Sequence, residues 1–187
     1  VDPSTDAPRG YTEDQRGKPN GFLGDPDVMD TWATSSLTPQ IAGGWSVDEA
    51  FAAIKQLSHF DLEYVEQPCA TVAELADLRL LLARSGLNVP IAADESIRRA
   101  EDPYQVAARE AADIAVLKVQ PLGGVTACLQ IAERIGLPVV VSSALETSIG
   151  IRAGLALAAA LPELPYACGL NTVALLTDDL VTDRLLA

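Results

Sequence analysis

Leu62-Glu63-Tyr64-Val65-Glu66-Gln67-Pro68 is a short apolar run that closes on a carboxylate, and the chain repeats the device. Val89-Pro90-Ile91-Ala92-Ala93-Asp94-Glu95 ends the same way. Ile114-Ala115-Val116-Leu117-Lys118-Val119-Gln120 ends with a lysine and a glutamine, and Pro138-Val139-Val140-Val141-Ser142-Ser143 with two hydroxyls, Glu146 lying just beyond. A polar turn and an amphipathic segment follow each run. Runs this apolar suit parallel strands covered on both faces. Their alternation with helical segments of roughly 10–15 residues predicts βαβ units. In barrels built this way the chemistry sits at the strands' C-terminal ends, where these polar groups fall.

Working outward, Gly43-Gly44-Trp45 marks the start of the regular pattern. Ser46 with Glu49, and Thr71 with Glu74, have the spacing of reciprocal helix caps. The pattern predicts helices over 46–57, 71–85 and 103–111, one running from Gly123-Gly124 to Gly136, and one over 148–161. Strands are expected at 62–67, 90–94, 114–119 and 138–142, with a last short one at Tyr166–Leu170 and a small helix or loop in the tail. A complete eight-stranded barrel typically needs about 250 residues, so the arithmetic predicts a partial barrel or a doubly wound sheet. Residues 1–44 differ in kind: they are rich in Pro, Gly, Asp and Arg, lack apolar periodicity and read as an irregular segment.

The 187 residues are 49% hydrophobic, enough for a real core. A net charge of −13 argues against nucleic acid as a main partner. Cys69, Cys128 and Cys168 lie far apart without metal-ligand spacing, which predicts reduced thiols. No secretory leader opens the sequence, and the most apolar helix is too short to span a bilayer, so a cytoplasmic protein without membrane contact is expected.

Glu66 and Asp94 stand at equivalent strand ends about one βα unit apart, and Lys118 ends the next strand. Hard oxygen ligands on rigid neighbouring strands suit Mg²⁺. A lysine facing the same point is fitted to act as a base or to stabilise an enolate. Either acid alone is more often a helix cap or an ion-pair partner. The three in successive units make the stronger case. His59, Arg98 and Arg99 read as surface residues, Glu146 with Thr147 as a helix cap, and Gly123-Gly124 as a weak phosphate-site signal.

The segments Val65-Glu66-Gln67-Pro68, Ala92-Ala93-Asp94-Glu95-Ser96, Val116-Leu117-Lys118-Val119-Gln120 and Ser142 through Ser148 resemble the muconate-lactonizing branch of the enolase superfamily. Within it, the run from Gly43 to about Asp179 is most similar to the o-succinylbenzoate synthases of the actinobacterial type. The resemblance implies the C-terminal half of a (β/α) barrel, one Mg²⁺, and syn-dehydration of a cyclohexadiene carboxylate through an enediolate. It also implies Glu66 and Asp94 as metal ligands, Lys118 as the catalytic lysine facing the enolate, and Ser142 and Ser143 as binders of the substrate's succinyl carboxylate. The sister activities, N-acylamino acid racemase and dipeptide epimerase, share this lysine-and-metal chemistry.

Two departures from that pattern are plain. Gln40 stands where the family carries its first metal-binding Asp, and no Lys-x-Lys pair precedes residue 45, nor is there length for a capping domain. Residues 21–45 instead resemble the catalytic domain of valyl-tRNA synthetase, without its His-x-Gly-His and Lys-Met-Ser-Lys-Ser signatures. The expectation is a chimera joined near residues 43–45. It would have weak metal binding and little turnover, with a barrel edge at strand 62–67 open to self-association. A non-catalytic fragment is the remaining alternative.

Overall fold

The computed structural model describes residues 12–16, 18–19 and 45–185. The chain divides into two units, Val1–Ser36 and Leu37–Ala187. Within the first, Glu13–Gln15 form a single 3-10 turn, opened by the Thr12 amide donating to Gln15 Oε1 at 2.8 Å. The upstream resemblance and Gln40 lie outside the described residues.

The second unit is an alternation of helices and strands. Helix α1 (Val47–Leu57) begins at Ser46, whose hydroxyl accepts the Glu49 amide while the Glu49 carboxylate accepts the Ser46 amide at 2.9 Å. Thr71 and Glu74 repeat this at the start of α2 (Val72–Arg84). Each box satisfies donors that a helix start leaves open. Between these helices lies β1 (Val65–Glu66). Then come β2 (Ile91–Ala93), α3 (Asp102–Ala108), β3 (Ile114–Lys118), α4 (Val125–Ile135), β4 (Val139–Ser142) and α5 (Ser148–Ala160). The four strands form one parallel sheet in the order β1-β2-β3-β4.

Successive strand residues point to opposite faces, and the core divides accordingly. Ile91, Ala93, Ala115, Leu117, Val139 and Val141 pack with Ile54, Leu75, Leu78, Val106 and Ile131 of the helices. Ala92, Ile114, Val116 and Val140 form a second cluster with Tyr64 and Tyr166 on the other face, which is the lumen of the curled sheet. Tyr64 precedes the first strand, and Tyr166 lies three residues before the segment that meets the last. Their rings nonetheless touch edge-on, 5.3 Å between centroids. The sheet therefore curls until its two margins approach, as a barrel wall does.

At the N-terminal end of β2 and β3, Asp113 acts as a brace. Its Oδ2 accepts the Ile91 amide at 3.0 Å and its Oδ1 accepts Arg79 Nε at 2.7 Å, while Arg79 also donates to the Glu110 carbonyl at 3.1 Å.

Two expectations are corrected. The strand expected at Tyr166–Leu170 is a single parallel bridge between Gly169 and Ser142. The segment makes two ladder hydrogen bonds there, Gly169 N–H to Val141 O at 3.0 Å and Ser143 N–H to Gly169 O at 2.8 Å. Leu170 then turns onto α5, where a Cβ on Gly154 would meet its Cδ2 at 2.6 Å, so a larger residue there would have to displace the leucine tip. The cap of α5 also differs. Thr147 occupies the N-cap position without a side-chain hydrogen bond. The work passes to Asp179, whose carboxylate accepts the Ser148 amide at 3.1 Å and the Ser148 hydroxyl. Proximity in space supplies what the local sequence lacks.

The Ser148 hydroxyl, followed by the Ser148 and Leu180 amides and Arg184, holds the Asp179 carboxyl below the ordinary carboxylate range. A depressed carboxyl stabilises the fold above its unfolded pKa and loses that contribution as pH falls through its folded one. Asp179→Asn is expected to lower the Tm at pH 7. It should also shrink the further drop on acidification from pH 5 to pH 3, read by thermal melts at both values.

Candidate functional site

The register decides which polar groups meet. Glu66 is paired with Ala92 and Lys118 with Ser142, while Ala92 and Val116 face the lumen. Two-residue periodicity then puts Glu66, Asp94, Lys118 and Ser142 on that same face, each at or just past the C-terminal end of its strand. Lys118 Nζ donates to both Asp94 oxygens, at 2.5 and 2.6 Å. The lysine side chain is 22% exposed and the aspartate 9%, so the pair is screened from bulk water on most sides.

Glu66 completes the cluster. Burial first, then the Asp94 charge, a hydrogen bond shared with Asp94 and the Glu95 charge push its carboxyl up to about 7, against the opposing pull of Lys118. Glu95 brings a third carboxylate close by, and its Oε2 is buried without a hydrogen-bond partner among the described residues. Such an arrangement carries more negative charge than Lys118 alone balances.

Among the described residues, no three Asp, Glu, His or Cys side chains form a metal cage by themselves. The donor set still fits Mg²⁺, which takes one or two carboxylates and retains water rather than demanding an all-protein shell. Glu66 and Asp94 would hold it, and the orphaned Glu95 oxygen marks charge still to be met.

Ser142 and Ser143 part company. Ser143 is 7% exposed, and its hydroxyl reaches the Gly169 carbonyl at 3.0 Å and Thr172 Oγ1 at 2.9 Å, fastening β4 to the last bridge. Among the described residues, Ser142 Oγ has only a long contact, 3.5 Å to the Gly169 carbonyl, and it shares the lumen face with Lys118. Glu146, read as a cap, turns back instead: its Oε1 accepts the Ala144 amide at 3.3 Å, and burial raises its carboxyl despite Ala144, Gln120 and Lys118. His59, Arg98 and Arg99 are exposed, and Gly123-Gly124 simply lead into α4.

The buried amide of Gln67 escaped the sequence reading. Its Oε1 accepts the amides of Asp94 and Ser96 at 3.0 and 3.1 Å. The only signal was its place directly after Glu66.

Residues 36–186 match the family described as enolase C-terminal domain-like. The chain belongs to that family. A relative from Thermobifida fusca named o-succinylbenzoate synthase is 64% identical over 146 residues, 78% of this chain and 44% of its own length. Another of that name, from Mycobacterium tuberculosis, is 56% identical over 167 residues, 87% of this chain and 49% of its own length. The chain thus spans about half the length of the curated relatives it matches. Among solved structures, muconate lactonizing enzyme from Pseudomonas putida superposes with a TM-score of 0.65 at 32% identity, over 75% of this chain and 39% of that one. Dipeptide epimerase from Enterococcus faecalis, complexed with Mg and dipeptide L-Leu-L-Tyr, gives 0.63 at 30% identity, over 75% and 40%. The parallel four-stranded sheet with its helices is the enolase-type barrel architecture expected from the sequence.

A carboxyl raised to about 7 makes the unliganded fold lose stability as pH climbs from the ordinary carboxylate range through that value. Mg²⁺ bound there should reverse the loss. At a hundred times Kd it is expected to add about 2.7 kcal/mol, with a larger Tm gain at pH 8 than at pH 6. In Glu66→Gln the gain should vanish, which differential scanning calorimetry reads directly.

Proposed function

We propose that this chain carries the C-terminal barrel portion of an o-succinylbenzoate synthase-like lyase. Such an enzyme dehydrates 2-succinyl-6-hydroxy-2,4-cyclohexadiene-1-carboxylate in menaquinone biosynthesis, with Mg²⁺ as cofactor. The observation that carries the reading is the convergence of Glu66, Asp94 and Lys118 at the lumen's C-terminal end, in a chain 64% identical to a relative of that name.

When bound, Mg²⁺ supplies positive charge that stabilises the dianionic character developing on a carboxylate whose α-carbon loses its proton. In the complete enzyme's reaction, a general base takes the α proton while the C–H electron pair passes toward the carboxylate; that pair then returns to expel the neighbouring hydroxyl, which leaves as water on receiving the proton back. Lys118 presents a fixed ammonium to the charge as it forms. Asp94 holds that ammonium with two hydrogen bonds, so no reorientation is needed at the moment of reaction. Ser142, with its hydroxyl nearly free, is suited to the succinyl carboxylate. Ser143 serves the wall behind it.

Two residues of chemistry remain to be supplied. Gln40 is a neutral oxygen donor where the family has a carboxylate, and Lys18 and Lys55 are the only lysines besides Lys118. An absent general base costs about 10²–10⁴-fold, so polypeptide 1–187 by itself is expected to show little or no turnover. A second reading, dipeptide epimerase or N-acylamino acid racemase, draws on the equally close structural likeness to the Enterococcus enzyme.

A hybrid separates them. Residues 45–185 replace the matching half of the Thermobifida fusca relative, and the purified hybrid is assayed with both substrate classes. Mg²⁺-dependent o-succinylbenzoate formation is expected, and Lys118→Ala in the hybrid should cut kcat by about 10²–10³-fold. A folded hybrid that racemises N-acyl amino acids and makes no o-succinylbenzoate overturns the first reading in favour of the second.

A further inference from the structure

Glu66 and Asp94 come from neighbouring strands, yet the strand ladder does not reach both. The hydrogen-bonded strands end at Glu66 and at Ala93, so Asp94 stands one step beyond its own. A single side chain closes that step. Gln67 is wholly buried. Its Oε1 accepts the amides of Asp94 at 3.0 Å and Ser96 at 3.1 Å. Its Nε2 donates to the Cys69 carbonyl at 2.9 Å and to Ser96 Oγ at 2.7 Å.

The amide's two acceptor sites and two donors are all in use. Turning it over would set its NH₂ against two backbone N–H groups, so only one orientation fits. The Gln67 backbone is fixed as well, since its N–H donates to the Ala92 carbonyl at 2.8 Å. Gln67 is therefore held by β2 through its main chain and holds the continuation of β2 through its side chain.

We propose that Gln67 is the positioning residue of the acidic pair, clamping the Asp94 and Ser96 amides to the end of β1 and thereby setting the separation of the Glu66 and Asp94 carboxylates. This rests on the Mg²⁺ reading given above only for its metal-affinity consequence. Outer partners of ligand side chains commonly tune affinity 10–100-fold. Gln67 is buried and acts through the backbone of Asp94 and Ser96.

The test uses polypeptide 1–187 and the variants Gln67→Met, which keeps length and loses every hydrogen bond, and Gln67→Glu, whose neutral carboxyl keeps the acceptor. Amide hydrogen exchange without metal is read by NMR, and Mg²⁺ affinity by calorimetric titration. In Gln67→Met the Asp94 and Ser96 amides should exchange at least tenfold faster while Ala115 and Val116 in the sheet keep their protection. Mg²⁺ binding should weaken at least tenfold. Gln67→Glu should restore protection and most of the affinity. If Gln67→Met does not fold, Gln67→Asn, one methylene shorter, carries the same expectation. Unchanged exchange at Asp94 and Ser96 in a folded variant overturns the proposal, as does Mg²⁺ affinity within twofold of the parent. A parent chain that binds no Mg²⁺ overturns the cation reading instead, and the exchange rates then decide the role of Gln67 by themselves.

Discussion

Burial and the nearby Asp94 charge both disfavour an ionised Glu66, and Lys118 is what makes the neighbourhood of the two acids tolerable. Charges of one sign this close are stable only when a proton, a cation or a fixed ammonium stands between them. The lysine meets both Asp94 oxygens and only lowers the Glu66 carboxyl in part, and the strand register sets it on their shared face. Much of the local architecture follows from that imbalance. The buried amide of Gln67 fixes the Asp94 backbone, and one oxygen of Glu95 is buried nearby without a hydrogen-bond partner among the described residues.

The same logic connects fold to chemistry. Parallel strands put their C-terminal ends on one rim, and two-residue alternation sorts apolar side chains to the helices and polar ends to the lumen. The rim is thus where polar side chains from several strands meet. Asp94 removes much of the freedom of the Lys118 ammonium there, through two short hydrogen bonds.

Most of this was legible in the chain because period and punctuation speak locally. Apolar runs closed by Glu66, Asp94, Lys118 and Ser142 announce the strands and the polar groups at their ends. Ser46 with Glu49 and Thr71 with Glu74 announced two helix starts. What stayed hidden depends on partners distant in sequence. Asp179 caps a helix 31 residues away, Gln67 grips an amide 27 residues on, and Ser143 is drawn off to Gly169 and Thr172. No spacing rule marks any of these. Apolar residues around Cys168 match a strand pattern, yet the segment pairs with Ser142 through a single bridge, and Leu170 beyond it packs on Gly154 of α5.

The Asp113 brace has a consequence for how such a scaffold changes over time. It ties β2, α2 and the turn after α3 together at the end remote from the acidic cluster, using groups that take no part in the chemistry. Stability and reactivity are thereby lodged at opposite poles of the same strands. Loops around the upper pole are free to diverge toward other substrates while the foundation stays in place, a division of labour that lets one scaffold serve many reactions.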